Sequence, residues 1–277
     1  MNLIDFDGLF DEKLAEFMEA NKNKYTEKQW EDIIPKLYKK FGDTYVSKIK
    51  CTPKEYYAKM QNAELVECLL GHLKAEIPTP EILCAEIENR DMPEELFKLL
   101  HEENTSAISY AINLLGDDKR AFDEYFAILT QNRADEEIRS DIVDIFKMHA
   151  DEEKERCLDT YAKGVAAEAM LEILSCVKTR DERVYEILLS AFLSGEETPM
   201  RASYLAKYGD ERALPALFEK IEDRTIGFVE FQELKYAIEA LGGEYDEPRD
   251  FTDDKDYLAV EAATSRLTAK SETEPRS

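Results

Sequence analysis

The sequence predicts an all-α chain, a stack of short amphipathic helices arranged in pairs. Three observations lead there. Gly and Pro are scarce, at 10 and 9 of 277 residues, and no run alternates Val, Ile and Thr as a half-buried strand would. Long stretches rich in Glu, Lys, Leu and Ala favour helix by propensity alone. A short grammar also recurs: the end of one helix, a Gly stop, an Asp, then the next helix. It reads from Leu205 to Leu217, again from Ile112 to Phe126, and again from Leu241 to Arg249. A unit repeated in this way cannot bury its apolar face alone, so its copies are expected to stack into a helical solenoid.

Residues 1–60 stand outside the grammar. Apolar residues at Phe10, Leu14, Phe17 and Met18 predict a first helix, with Asp5-Phe6-Asp7-Gly8 read as a turn ahead of it. Thr26-Glu27-Lys28-Gln29 is a capping-box pattern before Trp30, Ile33, Ile34, Leu37, Tyr38 and Phe41, and Gly42 ends that helix. Thr52-Pro53 opens a short third helix through Tyr56, Tyr57 and Met60. We read this segment as a helical cap over the open end of the solenoid, with Trp30 in the core of the cap. From residue 61 to 245 the spacing predicts six helix pairs. They are Asn62–Glu76 with Thr79–Arg90, Pro93–His101 with Thr105–Leu115, and Asp118–Thr130 with Asp135–Met148. Next come Glu152–Lys163 with Val165–Val177, Glu182–Leu193 with Thr198–Tyr208, and Glu211–Asp223 with Phe228–Leu241. Residues 246–277 read as a largely disordered tail, ending in the polar run Ala269 to Ser277, with Tyr257, Leu258 and Val260 able to dock one turn.

The punctuation has a mechanism. Asp117, Asp151, Asp181, Asp210 and Asp246 recur at steps of 34, 30, 29 and 36 residues. Each precedes a helical pattern and is expected to cap it, accepting from free N–H groups at its positive end. That reading removes the repeated Asp-Glu pairs from consideration as catalytic carboxylates.

Charge and thiols narrow the function. The net charge is −25, yet residues 1–60 balance 11 acids against 11 Lys and hold no Arg, so the rest carries the whole excess. Phosphate backbones are held by cationic contacts, so nucleic acid is a poor match for such a chain and is excluded as a partner. Cys51, Cys68, Cys84, Cys157 and Cys176 form no CxxC pair and are expected to be reduced core thiols. Cys157 with His149 is a conceivable thiol–imidazole pair, but the two fall on different predicted helices and the Leu158/Tyr161 face of Cys157 favours packing. Neither a secretory leader nor an apolar stretch approaching the ~20 residues of a membrane span is legible, so the expectation is cytoplasmic, without membrane contact. No nucleotide-loop, zinc, calcium or nucleophile-elbow motif occurs, and neither a cofactor nor a metal is expected.

The string Gly209-Asp210-Glu211-Arg212-Ala213-Leu214-Pro215-Ala216-Leu217 resembles the HEAT repeat, in particular the bacterial PBS-lyase HEAT-like form. Gly116-Asp117-Asp118-Lys119-Arg120-Ala121-Phe122 resembles it with one residue inserted, and Ala237-Ile238-Glu239-Ala240-Leu241-Gly242 resembles the end of its second helix. The likeness is tight over 180–250, looser over 62–180 and absent before 60. It implies a right-handed α-α solenoid of about six pairs. HEAT-like hydroxylases need several His-Glu pairs, whereas this chain has one, His101-Glu102, and three His in all. HEAT-like DNA glycosylases need a basic groove, and phycobilin lyases a chromophore chemistry not legible here.

The second helix of each pair usually lines the concave side of such arrays. Its solvent positions give the binding candidates Tyr110, Asn113, Asp144, Glu168, Glu172, Ser203, Tyr204, Lys235 and Glu239, with no catalytic residue among them. The expected role is a non-enzymatic scaffold or adaptor for a protein or peptide, a basic one suiting the acidic surface. The alternative is a small-molecule or modification enzyme, for example lyase-like, using the same groove. The acids are spread over both members of most pairs, which predicts an acidic but unfocused surface.

Overall fold

Capping chemistry sets where the helices of this protein begin. The computed structural model describes residues 3–263, and among them there is no β-strand, only an isolated bridge between Val46 and Cys51. The chain is all-α and divides after Ile142 into two compact units.

In the first unit, α1 (Phe6–Ala20) begins at Asp5, whose carboxylate accepts the Gly8 N–H at 2.8 Å. The Asp5 to Gly8 stretch is therefore the first turn of the helix and not a turn ahead of it. The expected capping box of Thr26 with Gln29 opens α2 (Glu27–Gly42), and a second, of Thr52 with Glu55, opens α3 (Pro53–Ala58). Phe6 and Tyr57 have no exposed surface and meet edge-on with centroids 5.6 Å apart. Trp30 stands half-buried between Phe17 and Tyr25, edge-on to both. The predicted helices follow as α4 (Asn62–Lys74) with α5 (Glu81–Glu88), and α6 (Pro93–Leu100) with α7 (Thr105–Leu115). After a single 3-10 turn, Lys119–Ala121, comes α8 (Phe122–Thr130). Arg90 ties α5 to α3: its Nη1 donates to the Met60 carbonyl at 2.7 Å and its Nη2 to that of Ala58 at 3.2 Å. Those carbonyls close a helix end that would otherwise lack donors.

Helix α9 (Glu136–Met148) runs across the division. The second unit holds α10 (Ala150–Ala162) with α11 (Ala167–Leu174), then α12 (Glu182–Leu193) with α13 (Thr198–Tyr208). A 3-10 turn, Glu211–Ala213, leads into α14 (Leu214–Ile221), which pairs with α15 (Phe228–Ala240). Each of these three pairs is in mutual contact. In addition α11 touches α13 and α13 packs closely on α15, so the second helices share one layer. Gly209 closes α13 at φ 75°, a left-handed conformation that a side chain would strain.

An Asp caps in the expected manner in three places, two of them the predicted Asp181 and Asp210. Asp118, Asp181 and Asp210 each accept the backbone N–H two residues on, at 3.0, 3.0 and 3.1 Å. Each also holds the side chain of that same residue, Arg120, Arg183 or Arg212, and these arginines reach back to Asp91, Glu155 and Glu182. One residue thus joins its own helix start to the preceding pair.

Three of the expected caps are corrected. Asp118 and not Asp117 caps at the first site, because the inserted residue shifts the turn by one. Asp151 lies inside the first turn of α10 and accepts the N–H groups of Lys178 and Thr179, bracing the loop ahead of α12. Asp246 is exposed in an irregular stretch and starts no helix.

The described part of the tail, up to residue 263, packs on the last helix pair. Arg249 donates to the carbonyls of Ile221 and Asp223 at the end of α14. Asp254 accepts the Phe228 N–H at 3.0 Å, Phe251 and Tyr257 stack edge-on against Phe228, and residues 255–263 are helical. Phe251 and Tyr257 are both half-buried. Leu258 and Val260 are exposed. The polar run Ala269 to Ser277 lies outside the described residues. No helix among the described residues is long and apolar enough to cross a membrane.

Candidate functional site

Two surfaces gather chemistry, one in each unit. In the second unit, the last turn of α9 places Lys147 between two helices. Its Nζ lies 2.5 Å from Asp144 Oδ1 and 2.7 Å from Glu172 Oε1 on α11. One helix over, Arg201 Nη2 of α13 meets Glu168 Oε1 of α11 at 2.5 Å, and the guanidinium lies 5.7 Å from the Tyr204 ring. Tyr204 is the centre of this group, with Glu172, Arg201, Glu168 and Lys147 all close enough to shift its hydroxyl. Burial, reinforced by Glu172, pushes that hydroxyl up to about 12, so it stays a protonated donor. Burial also works against the Lys147 charge, but hydrogen bonds to Asp144 and Glu172 outweigh it and hold the ammonium above the usual lysine range. Arg201 is buried, and its Nε and Nη1 have no hydrogen-bond acceptor. The face of Tyr204 supplies part of what those groups lack, as a cation over an aromatic ring.

Four predicted residues, Asp144, Glu168, Glu172 and Tyr204, therefore meet in one network. Lys147 and Arg201, which complete it, fall outside the predicted set. Reading each second helix for its solvent positions passes over them, although a Lys three residues after Asp144 is a readable ion-pair signal.

The other candidates lie elsewhere. Tyr110 on α7 sits in the first unit beside Cys84 and Thr79, and burial raises its hydroxyl above the ordinary value. Asn113 is exposed on the same helix. Ser203 turns back on its own helix, donating to the Met200 carbonyl at 2.8 Å. Lys235 and Glu239 approach to 3.8 Å on α15 and line a polar cavity of about 390 Å³ with Tyr236, Glu247 and Arg249.

The first unit carries a surface that sequence reasoning misses. An open cavity of about 610 Å³ lies between α2 and α5, floored by Phe10, Ile34, Pro35, Tyr38, Ile82 and Ala85. Tyr38 anchors the floor by donating its hydroxyl to Asp7, and burial together with that carboxylate holds the phenol well above its ordinary range. Lys39 and Lys54 stand on one wall, Glu81 and Glu86 on the other. Tyr38 and Ile82 are far apart in sequence, so helical periodicity cannot bring them together. The visible signal is the apolar stripe of α2 itself.

The thiols of Cys68 and Cys157 are shut in the core. Burial pushes Cys68 up to about 11 and Cys157 up to about 12, so both stay protonated near neutrality. Among the described residues no group of three or more His, Cys, Asp and Glu is placed to hold a metal ion. No family model matches the chain, and neither the curated proteins nor the solved structures provide a match.

Proposed function

We propose that the protein is a scaffold of the HEAT-like kind, a right-handed α-α solenoid of about six pairs with residues 1–60 as its cap, that binds a protein or peptide. The observation that supports this most is the shared layer of α11, α13 and α15. It aligns the second helices of consecutive pairs, and Glu168, Glu172, Ser203, Tyr204, Lys235 and Glu239 all belong to it. A row of charges around a tyrosine suits recognition, because Tyr brings contact area and a polar tip at low entropy cost. A basic partner fits the overall charge of −25. The enzyme alternative draws no support from Cys68 and Cys157, which burial keeps protonated.

The test is affinity capture from a native lysate with partners identified by mass spectrometry. The comparison is between the natural chain and Asp144→Lys with Glu239→Arg, at sites whose side chains are 63% and 55% exposed. A partner retained by the first and lost by the second supports the scaffold. Equal recovery by both removes Asp144 on α9 and Glu239 on α15 from recognition.

A further inference from the structure

Helix α2 is amphipathic but poorly covered. Of its 16 residues only Phe41 and Gly42 are buried, while Ile33, Ile34, Leu37 and Tyr38 keep helical spacing and remain half-exposed. The opposite wall, α5, leaves Ala85 exposed at the middle of the floor. From Ile34 to Gly42 the trough runs about 12 Å along α2, at ~1.5 Å per residue, or just over two helical turns. That length matches the span of apolar anchors at i, i+3 or i+4 and i+7 on a docked helix. An extended peptide gains most of its affinity by pairing with a sheet edge, and none exists among the described residues.

The walls also differ in sign. Lys54 is paired with Asp43 at 2.8 Å and Glu86 with Arg90 at 2.6 Å, so those charges are largely neutralised locally. Lys39 and Glu81 are left facing the trough from opposite sides, both exposed and outside any ion pair among the described residues. We propose that the α2–α5 trough docks an amphipathic helix of a partner protein, with an acidic flank against Lys39 and a basic flank against Glu81. This names a partner class for the scaffold reading and rests on it. It concerns the first unit, whereas the capture experiment above alters only the second.

The test uses the full chain and labelled synthetic helices of ~15 residues with Leu at i, i+4 and i+7, followed by fluorescence anisotropy. One peptide carries Glu on one flank and Lys on the other, a second has Glu on both, a third Lys on both. The mixed peptide is expected to bind at least about tenfold tighter than either uniform one, and Ala85→Arg to weaken it by at least about tenfold. Lys39→Glu makes both walls acidic and should shift preference to the all-Lys peptide, while Glu81→Lys should shift it to the all-Glu peptide. All three substitutions fall on exposed helical positions, and an unchanged helical circular dichroism spectrum is the control for each. Absence of binding by the mixed peptide, or a ranking unmoved by the charge changes, overturns the proposal. So does a dimer that Ala85→Arg dissolves, which would make a second copy the occupant. Dodecanoate displacing the mixed peptide while binding tighter would make the trough a small-ligand site and overturn the proposal equally.

Discussion

Tyr208 and Asp181 hold each other by two hydrogen bonds through a single hydroxyl. The Tyr208 oxygen accepts the Asp181 N–H at 2.9 Å and donates to the Asp181 carbonyl at 3.0 Å. Tyr208 ends α13 and Asp181 caps α12, so the contact clamps the two ends of one helix pair. Tyr208→Phe keeps the ring beside Arg180 but leaves both backbone groups without that partner. A loss of about 1–3 kcal/mol is expected, the usual cost of stranding a part-buried polar group. Denaturant titration checks it, and a midpoint unchanged from the natural chain would show that water replaces the hydroxyl.

Leu217 has no exposed surface and lies on α14. Leu217→Ala should cost about 2–5 kcal/mol, the transfer of the lost carbons plus the cavity left behind. Contacts in a helix-pair array are mostly between neighbours, so the damage should concentrate after about residue 180. Hydrogen exchange resolves this by segment. Equal loss of protection in residues 1–60 would contradict local stacking.

The arginine pairs give stability a pH dependence with a definite sign. The hydrogen bond from Arg183 holds the Asp181 carboxyl below its ordinary range, and Arg120 and Arg212 do the same for Asp118 and Asp210. A carboxyl lower in the native state binds fewer protons there than in the unfolded chain, whose value is ~3.9. The stabilisation is therefore fully present above about pH 5 and is lost as pH falls through the unfolded value and below. Arg183→Gln should reduce that acid-side dependence for α12 without abolishing it, because Lys154 still meets Asp181 at 3.0 Å, and exchange protection between about pH 6 and pH 3 reads the change. An unaltered slope in this variant would dissociate the pairs from acid sensitivity.

The sequence is legible where the interaction is local. Gly209, Asp210 and Arg212 lie within four residues, and their capping geometry can be read directly as a helix stop and start. Most helix boundaries follow from the same short-range signals, to within a few residues. Asp117 and Asp151 show where that reading slips. One inserted residue moves the cap to Asp118, and Asp151 takes its donors from Lys178 and Thr179, more than a turn of chain away from anything its own helix predicts. The candidate sites are less legible because they depend on neighbours across helices. Asp144 and Glu172 can be placed on solvent stripes, but only the fold puts Lys147 between them. The α2–α5 trough depends on Phe10, Tyr38 and Ile82 meeting, which no periodicity records.

Duplex DNA should not bind this protein. Binding to a duplex requires cations lined up against phosphates, and its strength falls steeply with salt as counterions are released. In the second unit Arg183 and Arg212 each bridge two acids, Arg201 is buried against Glu168, and Lys147 lies between Asp144 and Glu172. These cations already have partners, and drawing them onto a phosphate would leave carboxylates unpaired beside it. With a net charge of −25 the long-range field also repels the duplex, over a screening length of ~8 Å at 0.15 M salt. A mobility-shift titration with plain duplex DNA at about 0.15 M salt should therefore show no retarded band. Lowering the salt should not produce one either, because weaker screening strengthens the repulsion as well as any contact. A band that appears and sharpens at low salt would overturn this prediction.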